Sequence, residues 1–225
     1  MSASTTLRRL LRRSPAAAPP APAAPDPVLA TTTPEDLRII ERATPFTMTG
    51  HDRLQALIDA VRYVVVNDVP GDFAECGVWR GGSVVAMIHT LQDLGVHDRD
   101  IHLYDTFEGM TEPTGHDVSA LDPPAQATWE AAQAHGGRAW NELFDAQTFN
   151  EEAVRATLAA TGYPTERLHL VRGPVEETIP GRSPASLALL RLDTDWYEST
   201  RHELTHLYPR PVSYTHLTLP TKRIV

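Results

Sequence analysis

Three carboxylates in this sequence lie where an apolar run gives way to a turn. Glu75 falls within Phe73-Ala74-Glu75-Cys76, Asp105 closes Ile101-His102-Leu103-Tyr104-Asp105, and Asp193 follows Leu187–Leu192. After Glu75 comes Gly77-Val78-Trp79-Arg80-Gly81-Gly82-Ser83, which reads as strand, tight loop and helix N-terminus. Helix N-termini present free N–H groups and a positive dipole end, and glycines let a ligand come up against the backbone. The spacing is acid-x-Gly-x-x-x-Gly, with Glu75, Gly77 and Gly81. The dinucleotide fingerprint G-x-G-x-x-G is absent, which disfavours a nicotinamide dehydrogenase. The form present suits a nucleoside ligand without a pyrophosphate, such as S-adenosylmethionine, and it equally suits a purely structural turn.

The other acids each have two readings. Asp105, at the end of its strand, can accept hydrogen bonds from both ribose hydroxyls or can cap the next segment. Asp193 and Asp195 differ by two, so an extended backbone would aim both at one face. Like charges that close want a divalent cation or a shared proton. One could bind a hard cation through oxygen while the other accepts a proton, or both could be solvated loop acids. His202-Glu203-Leu204-Thr205-His206 matches H-E-x-x-H on a helix, so a zinc hydrolase using His202 and His206 is a remote alternative. No third ligand follows it, and Leu204 and Leu207 already supply a core stripe.

The elements that must position these residues alternate. A helix opens at Thr33-Pro34, with threonine as N-cap and proline at the first position. His51 to Asn67 carries Leu54, Leu57, Ile58, Val61, Val64 and Val65 at helical spacing. Strands are expected at 73–76, 101–104, 168–171 and 187–192, with helices at about 82–94, 151–161 and 198–207. The stretch 106–150 is long and irregular, with Trp129, Trp140 and Phe144, and a segment of that length usually carries function or small helices of its own. Such alternation argues an open, parallel α/β sheet, which binds ligands at the carboxyl ends of its strands.

Composition sets bounds. The chain has 225 residues, 41% hydrophobic, enough for one domain. A net charge of −9 argues against broad nucleic-acid binding. The single cysteine, Cys76, excludes an internal disulfide and fits a reducing, cytoplasmic location. No apolar run approaches the roughly 18 residues of a membrane span. Residues 1–33 read as a disordered arm, basic and then rich in Ala and Pro.

Taken together, FTMT (46–49), VPGDFAECGVWRGGS (69–83), LYDTFEGM (103–110), LRLDTDWYEST (191–201) and HLYP (206–209) resemble the macrocin O-methyltransferase (TylF-type) family. These are S-adenosylmethionine-dependent sugar O-methyltransferases of antibiotic biosynthesis, and the likeness spans about 35 to 210. It implies a class I methyltransferase fold, Rossmann-like and doubly wound, and a divalent metal, usually magnesium. By resemblance Glu75, Gly77, Gly81, Ser83 and Phe107 belong to the cofactor site, Asp105 holds the ribose, and Met48 and Thr49 close over the methionine end. Asp193 matches the first metal ligand and Asp195 the proposed general base. The partner implied is a small glycoside, with no nucleic acid and no membrane, in a homo-oligomer. The alternative from another class is a Rossmann-like module that binds a nucleoside without chemistry.

The sequence departs from the family after Pro209-Arg210. The string Pro211 to Thr221 resembles translated adapter read-through. The expectation is therefore a methyltransferase domain over 34–210, incomplete at its C-terminal end, with 211–225 a foreign tail. Two metal ligands would be missing, the chain would be inactive, and the strand at 187–192 would expose an unpaired apolar edge, an aggregation hazard.

Overall fold

The computed structural model describes residue 28, residues 31–120 and residues 123–218, with backbone alone for 211–218. The arm expected over 1–33 lies mostly outside the described residues, as does the chain beyond 218. The elements are α1 (Pro34–Ala43), α2 (His51–Val66), β1 (Asp72–Cys76), α3 (Gly82–Asp93), β2 (Ile101–Asp105), α4 (Ala125–Ala134), α5 (Glu151–Ala159), β3 (Leu168–Arg172), α6 (Val175–Thr178), β4 (Leu187–Leu192), α7 (Tyr197–His206) and β5 (Pro211–Thr218). The five strands form one parallel sheet in the order β3-β2-β1-β4-β5. This is the doubly wound α/β architecture expected from the strand–helix alternation.

Local chemistry explains the elements. Thr33 caps α1 through its hydroxyl, which accepts from the Asp36 N–H at 3.2 Å, and Pro34 needs no partner there. Every residue of β4 is buried, as the strand between two neighbours in a parallel sheet should be. Alternation along the strands sends side chains to opposite faces. Phe73, Ile101, Leu103 and Leu189 pack with α1, α2 and α3. Ala74, Cys76, Tyr104, Leu190 and Leu192 pack on the other face with Val175, Ile179 and Leu207.

The expectation of a bare edge on β4 is corrected. β5 pairs with it in parallel, from Leu187↔Pro211 to Arg191↔Thr218, with an irregularity between Leu187 and Leu189. An extended backbone offering N–H and C=O groups satisfies that edge whatever its side chains are.

Candidate functional site: a charged cleft at the switch point

The strand order reverses between β1 and β4, and the helices that follow these two strands, α3 and α7, pack on opposite faces of the sheet. A cleft of roughly 260 Å³ opens there, at the carboxyl ends of the strands. Met48, Thr49, Glu75, Gly77, Ser83, Asp105, Asp193 and Asp195 all line it. Of the residues that the resemblance assigns to the cofactor, metal and base positions, Gly81 and Phe107 do not. Gly81 makes the left-handed turn into α3, at φ 90°, facing Leu158 and Val154. Phe107 is buried in the core on the α1–α3 side of the sheet.

Gly77 is required by close approach. An added Cβ would lie 2.4 Å from the Asp193 carbonyl oxygen and 2.9 Å from the Thr194 nitrogen, at φ 81°. The loop after β1 and the loop after β4 therefore touch backbone to backbone. The Asp193 N–H donates to the Cys76 carbonyl at 2.7 Å, completing that contact. Gly82 does the same on the other side: a Cβ there would meet the Phe46 backbone at 2.6 Å. Its absence lets residues 46–49 lie against the start of α3, which brings Met48 and Thr49 to the rim.

Arg191, which the motif reading passed over, organises the floor. It stands opposite Glu75 in the β1–β4 register. Its guanidinium bonds the Glu75 carboxyl, the Asp193 carboxyl at 2.6 Å and the Thr49 hydroxyl at 3.0 Å. A planar fork of five donors can serve three partners at once. Glu75 is 1% exposed, and burial pushes its carboxyl up to about 8 against the pull of Arg191. Its Oε2 has no hydrogen-bond partner, an orphaned acceptor in the lining of the cleft. Asp193 is likewise raised by burial, with Arg191 pulling it back down.

Asp105 commits most of its carboxylate to backbone donors. Its Oδ2 accepts the N–H groups of Val78 and Trp79 at 2.8 and 2.9 Å, and its Oδ1 accepts that of Phe107 at 2.8 Å. A carboxylate offers about four acceptor positions, so about one remains for a ligand. The residue holds the glycine loop to the end of β2 and forms its own Asx turn. Burial still raises its pKa, against these three donors.

The segment 106–150 covers the cleft. The Trp79 indole donates to the Leu143 carbonyl and the Trp196 indole to the Thr111 carbonyl, each at 2.9 Å. Met110, Thr111 and Phe144 complete the lining on that side. An aromatic ring with one polar donor suits such a place, since its body packs while its tip bonds.

Two metal readings can be tested against the donors present. Among the described residues no group of three or more His, Cys, Asp or Glu is placed to hold a metal ion. Magnesium wants about six oxygens in octahedral array. Asp193 and Asp195 could supply two, and Asp193 is already paired with Arg191. The described residues therefore do not make a complete magnesium site. In H-E-x-x-H, His202 bonds the Ile179 carbonyl at 2.8 Å and its ring packs on that of His206, 4.4 Å between centroids, while Glu203 faces the interior.

The organic cofactor fares better. An orphaned acidic oxygen for a cationic ligand, a glycine cradle and a helix N-terminus without a side-chain cap meet in one cleft.

Comparisons with known proteins agree. A family profile described as Macrocin-O-methyltransferase (TylF) matches residues 35–215. The 8-demethyl-8-(2,3-dimethoxy-alpha-L-rhamnosyl)-tetracenomycin-C 4'-O-methyltransferase of Streptomyces olivaceus is 36% identical over 178 residues, 78% of this chain and 63% of that protein. Demethyldecarbamoylnovobiocin O-methyltransferase of Streptomyces niveus is 33% identical over 168 residues, 75% of this chain and 59% of that protein. The solved structure of the O-methyltransferase NovP superposes with a TM-score of 0.62 at 31% identity, over 77% of this chain and 66% of its own. The chain thus spans roughly three-fifths of the length of the curated relatives it matches. Profile, sequence relatives and fold converge on one assignment: this chain belongs to the macrocin O-methyltransferase (TylF) family.

Proposed function

We propose that the chain is the cofactor-binding portion of an S-adenosylmethionine-dependent O-methyltransferase that modifies a sugar hydroxyl on a small glycoside of secondary metabolism. The observation that carries this reading is the unpartnered Oε2 of Glu75, buried in the cleft lining beside Gly77. A buried acceptor without a donor costs free energy unless a ligand supplies one. The α-ammonium of the cofactor's methionine would do so. The relatives' names support the methyl acceptor class, since they act on rhamnosyl and novobiocin-type compounds.

When bound, the cofactor supplies a methyl group on a sulfonium sulfur, which departs as a thioether once the carbon–sulfur bond has given way to a carbon–oxygen bond. The chain's own residues do the rest. Gly77 lets the ligand reach the loop backbone, Ser83 and the α3 N-terminus offer donors, and Asp105 keeps the loop in shape. Asp195, in the cleft lining and open to solvent, takes the proton from the acceptor hydroxyl. Trp196 and the 106–150 segment hold the sugar and limit water. Holding donor and acceptor in line supplies much of the rate.

Magnesium belongs to this proposal only as a question put to experiment, and no step is routed through it. A homo-oligomer and a cytoplasmic location, expected from the resemblance and the lone cysteine, complete the reading. Light scattering tests the first.

The deciding experiment is calorimetry of the full chain with S-adenosylmethionine, with and without magnesium chloride, followed by a methyl-transfer assay on deoxysugar glycosides. Saturable binding that is lost in Glu75→Ala is expected. A folded protein that binds no cofactor sinks the proposal. Binding without turnover favours the second reading, a nucleoside-binding module.

A further inference from the structure

The proposed chemistry leaves one costly group unexplained. Glu203, in the middle of H-E-x-x-H, is 0% exposed. A leucine there would pack beside Leu207 and the other apolar side chains of that face without desolvating a carboxyl. Evenly apolar surroundings do not ask for an acid, so its partners must account for it.

Those partners stand where β1 and β4 end. The Thr194 hydroxyl bonds the Glu203 carboxyl, 2.9 Å from Oε1 and 3.1 Å from Oε2. Cys76, whose thiol is pushed up by burial and then by Glu203, interacts electrostatically with the same group. Cys76 is the last residue of β1 and precedes Gly77. Thr194 stands between Asp193 and Asp195. The two loops are already in backbone contact at Gly77, and Arg191 grips Asp193 from the opposite face of the sheet. Glu203 thus reaches from α7 to the one point where both loops can be held from beneath.

We propose that Glu203 is a positioning residue that clamps the loop after β1 to the loop after β4, fixing the glycine cradle relative to Asp193 and Asp195. Burial raises its carboxyl to about 8, with the Thr194 hydroxyl pulling it down and Glu176 and Asp193 adding repulsion, so the clamp is mostly uncharged at neutral pH.

The test uses the full chain and three variants. Thr194→Val removes the donor and leaves the acid, Glu203→Leu removes the acid, and Glu203→Gln keeps an acceptor of the same shape. Amide hydrogen exchange is followed by mass spectrometry. Exchange is expected to rise about tenfold together over 77–79 and 193–195 in Thr194→Val and Glu203→Leu, with the rest of the sheet unchanged, and to return toward wild type in Glu203→Gln. Wild-type exchange in both loops of Thr194→Val, or a rise spread evenly over the sheet, overturns the clamp. If leucine at 203 prevents folding, Thr194→Val alone decides. A second arm rests on the function proposed above: affinity for S-adenosylmethionine should fall about tenfold in Thr194→Val, which is about 1.4 kcal/mol, and recover in Glu203→Gln. A wild type that binds no cofactor removes the functional reading and leaves the exchange arm standing.

Discussion

The two ends of the sheet draw on the same residue types. At the amino ends of β1 to β3, Asp72 meets His102 at 3.0 Å, and Asp100 meets His169 at 2.7 Å and Arg167 at 2.8 Å. The two imidazoles stack with centroids 4.6 Å apart. Each of these acids is matched locally by a donor, and neither lines the cleft. At the carboxyl ends, Glu75 keeps an oxygen with no partner, and one guanidinium serves both Glu75 and Asp193. The difference lies in unmet hydrogen-bonding capacity beside open space, rather than in the number of charges.

That contrast can be broken most decisively at Arg191. Arg191→Met leaves the buried Glu75 carboxyl and the half-buried Asp193 carboxyl without their cation, so a loss of about 3–5 kcal/mol is expected in urea unfolding. A loss below about 1 kcal/mol would mean that the cleft is no more strained than the amino edge. Gly77→Ala comes next. The new Cβ meets backbone on the opposing loop at a positive φ, and about 2–4 kcal/mol of destabilisation with loss of cofactor binding is expected by thermal denaturation and calorimetry.

The ends should also respond to pH with opposite sign. Glu203 has a folded pKa raised from 4.5 to about 8 by burial, so the folded state binds the extra proton. Its contribution is full below about pH 4.5 and is lost as pH rises through about 8; Glu203→Gln should remove this pH dependence, up to about 5 kcal/mol across that window. At the amino edge burial lowers His102, whose contribution is present above its unfolded value of 6.5 and lost as pH falls through its lower folded value. Asp100 is also held low, by His169 and Arg167 working against burial, and its contribution disappears in acid. Chemical denaturation at a series of pH values checks both signs. The smallest effect is expected for Asp100→Asn. Its pairs are partly exposed, so the cost stays under about 1 kcal/mol and cofactor affinity should not move.

Much of the fold was legible because apolar runs, glycines and caps are local signals. Thr33, Leu187–Leu192 and the Gly77 turn behave as their sequence chemistry dictates. The acids at the strand ends were legible for the same reason: a strand must stop before its loop can bind. What escaped was pairing across the chain. Arg191 stands next to Leu192 in a run otherwise made of Leu and Ala, and a charge in so apolar a strand is itself the signal of a buried partner, though not of which one. Asp105 was legible as an acid at a strand end, but its three N–H donors come from loop geometry that spacing does not encode. Glu203 looked like half of a zinc motif, because H-E-x-x-H records helix spacing and is silent about which face meets the core. The edge of β4 was misjudged for a related reason: sequence composition says little about backbone pairing, which any extended chain can supply.

The covering segment has an optical consequence. Of the four tryptophans in the chain, Trp79 and Trp196 line the cleft and tie down its cover, and Trp140 packs on Trp196 with ring centroids 5.6 Å apart. Three of four fluorophores therefore share one small neighbourhood. A nucleoside or sugar that enters, or a cover that lifts, alters the polarity around the same indoles at once. The molecule reports on the occupancy of its own cleft in unlabelled emission, and a titration followed at a single wavelength gives the affinity directly.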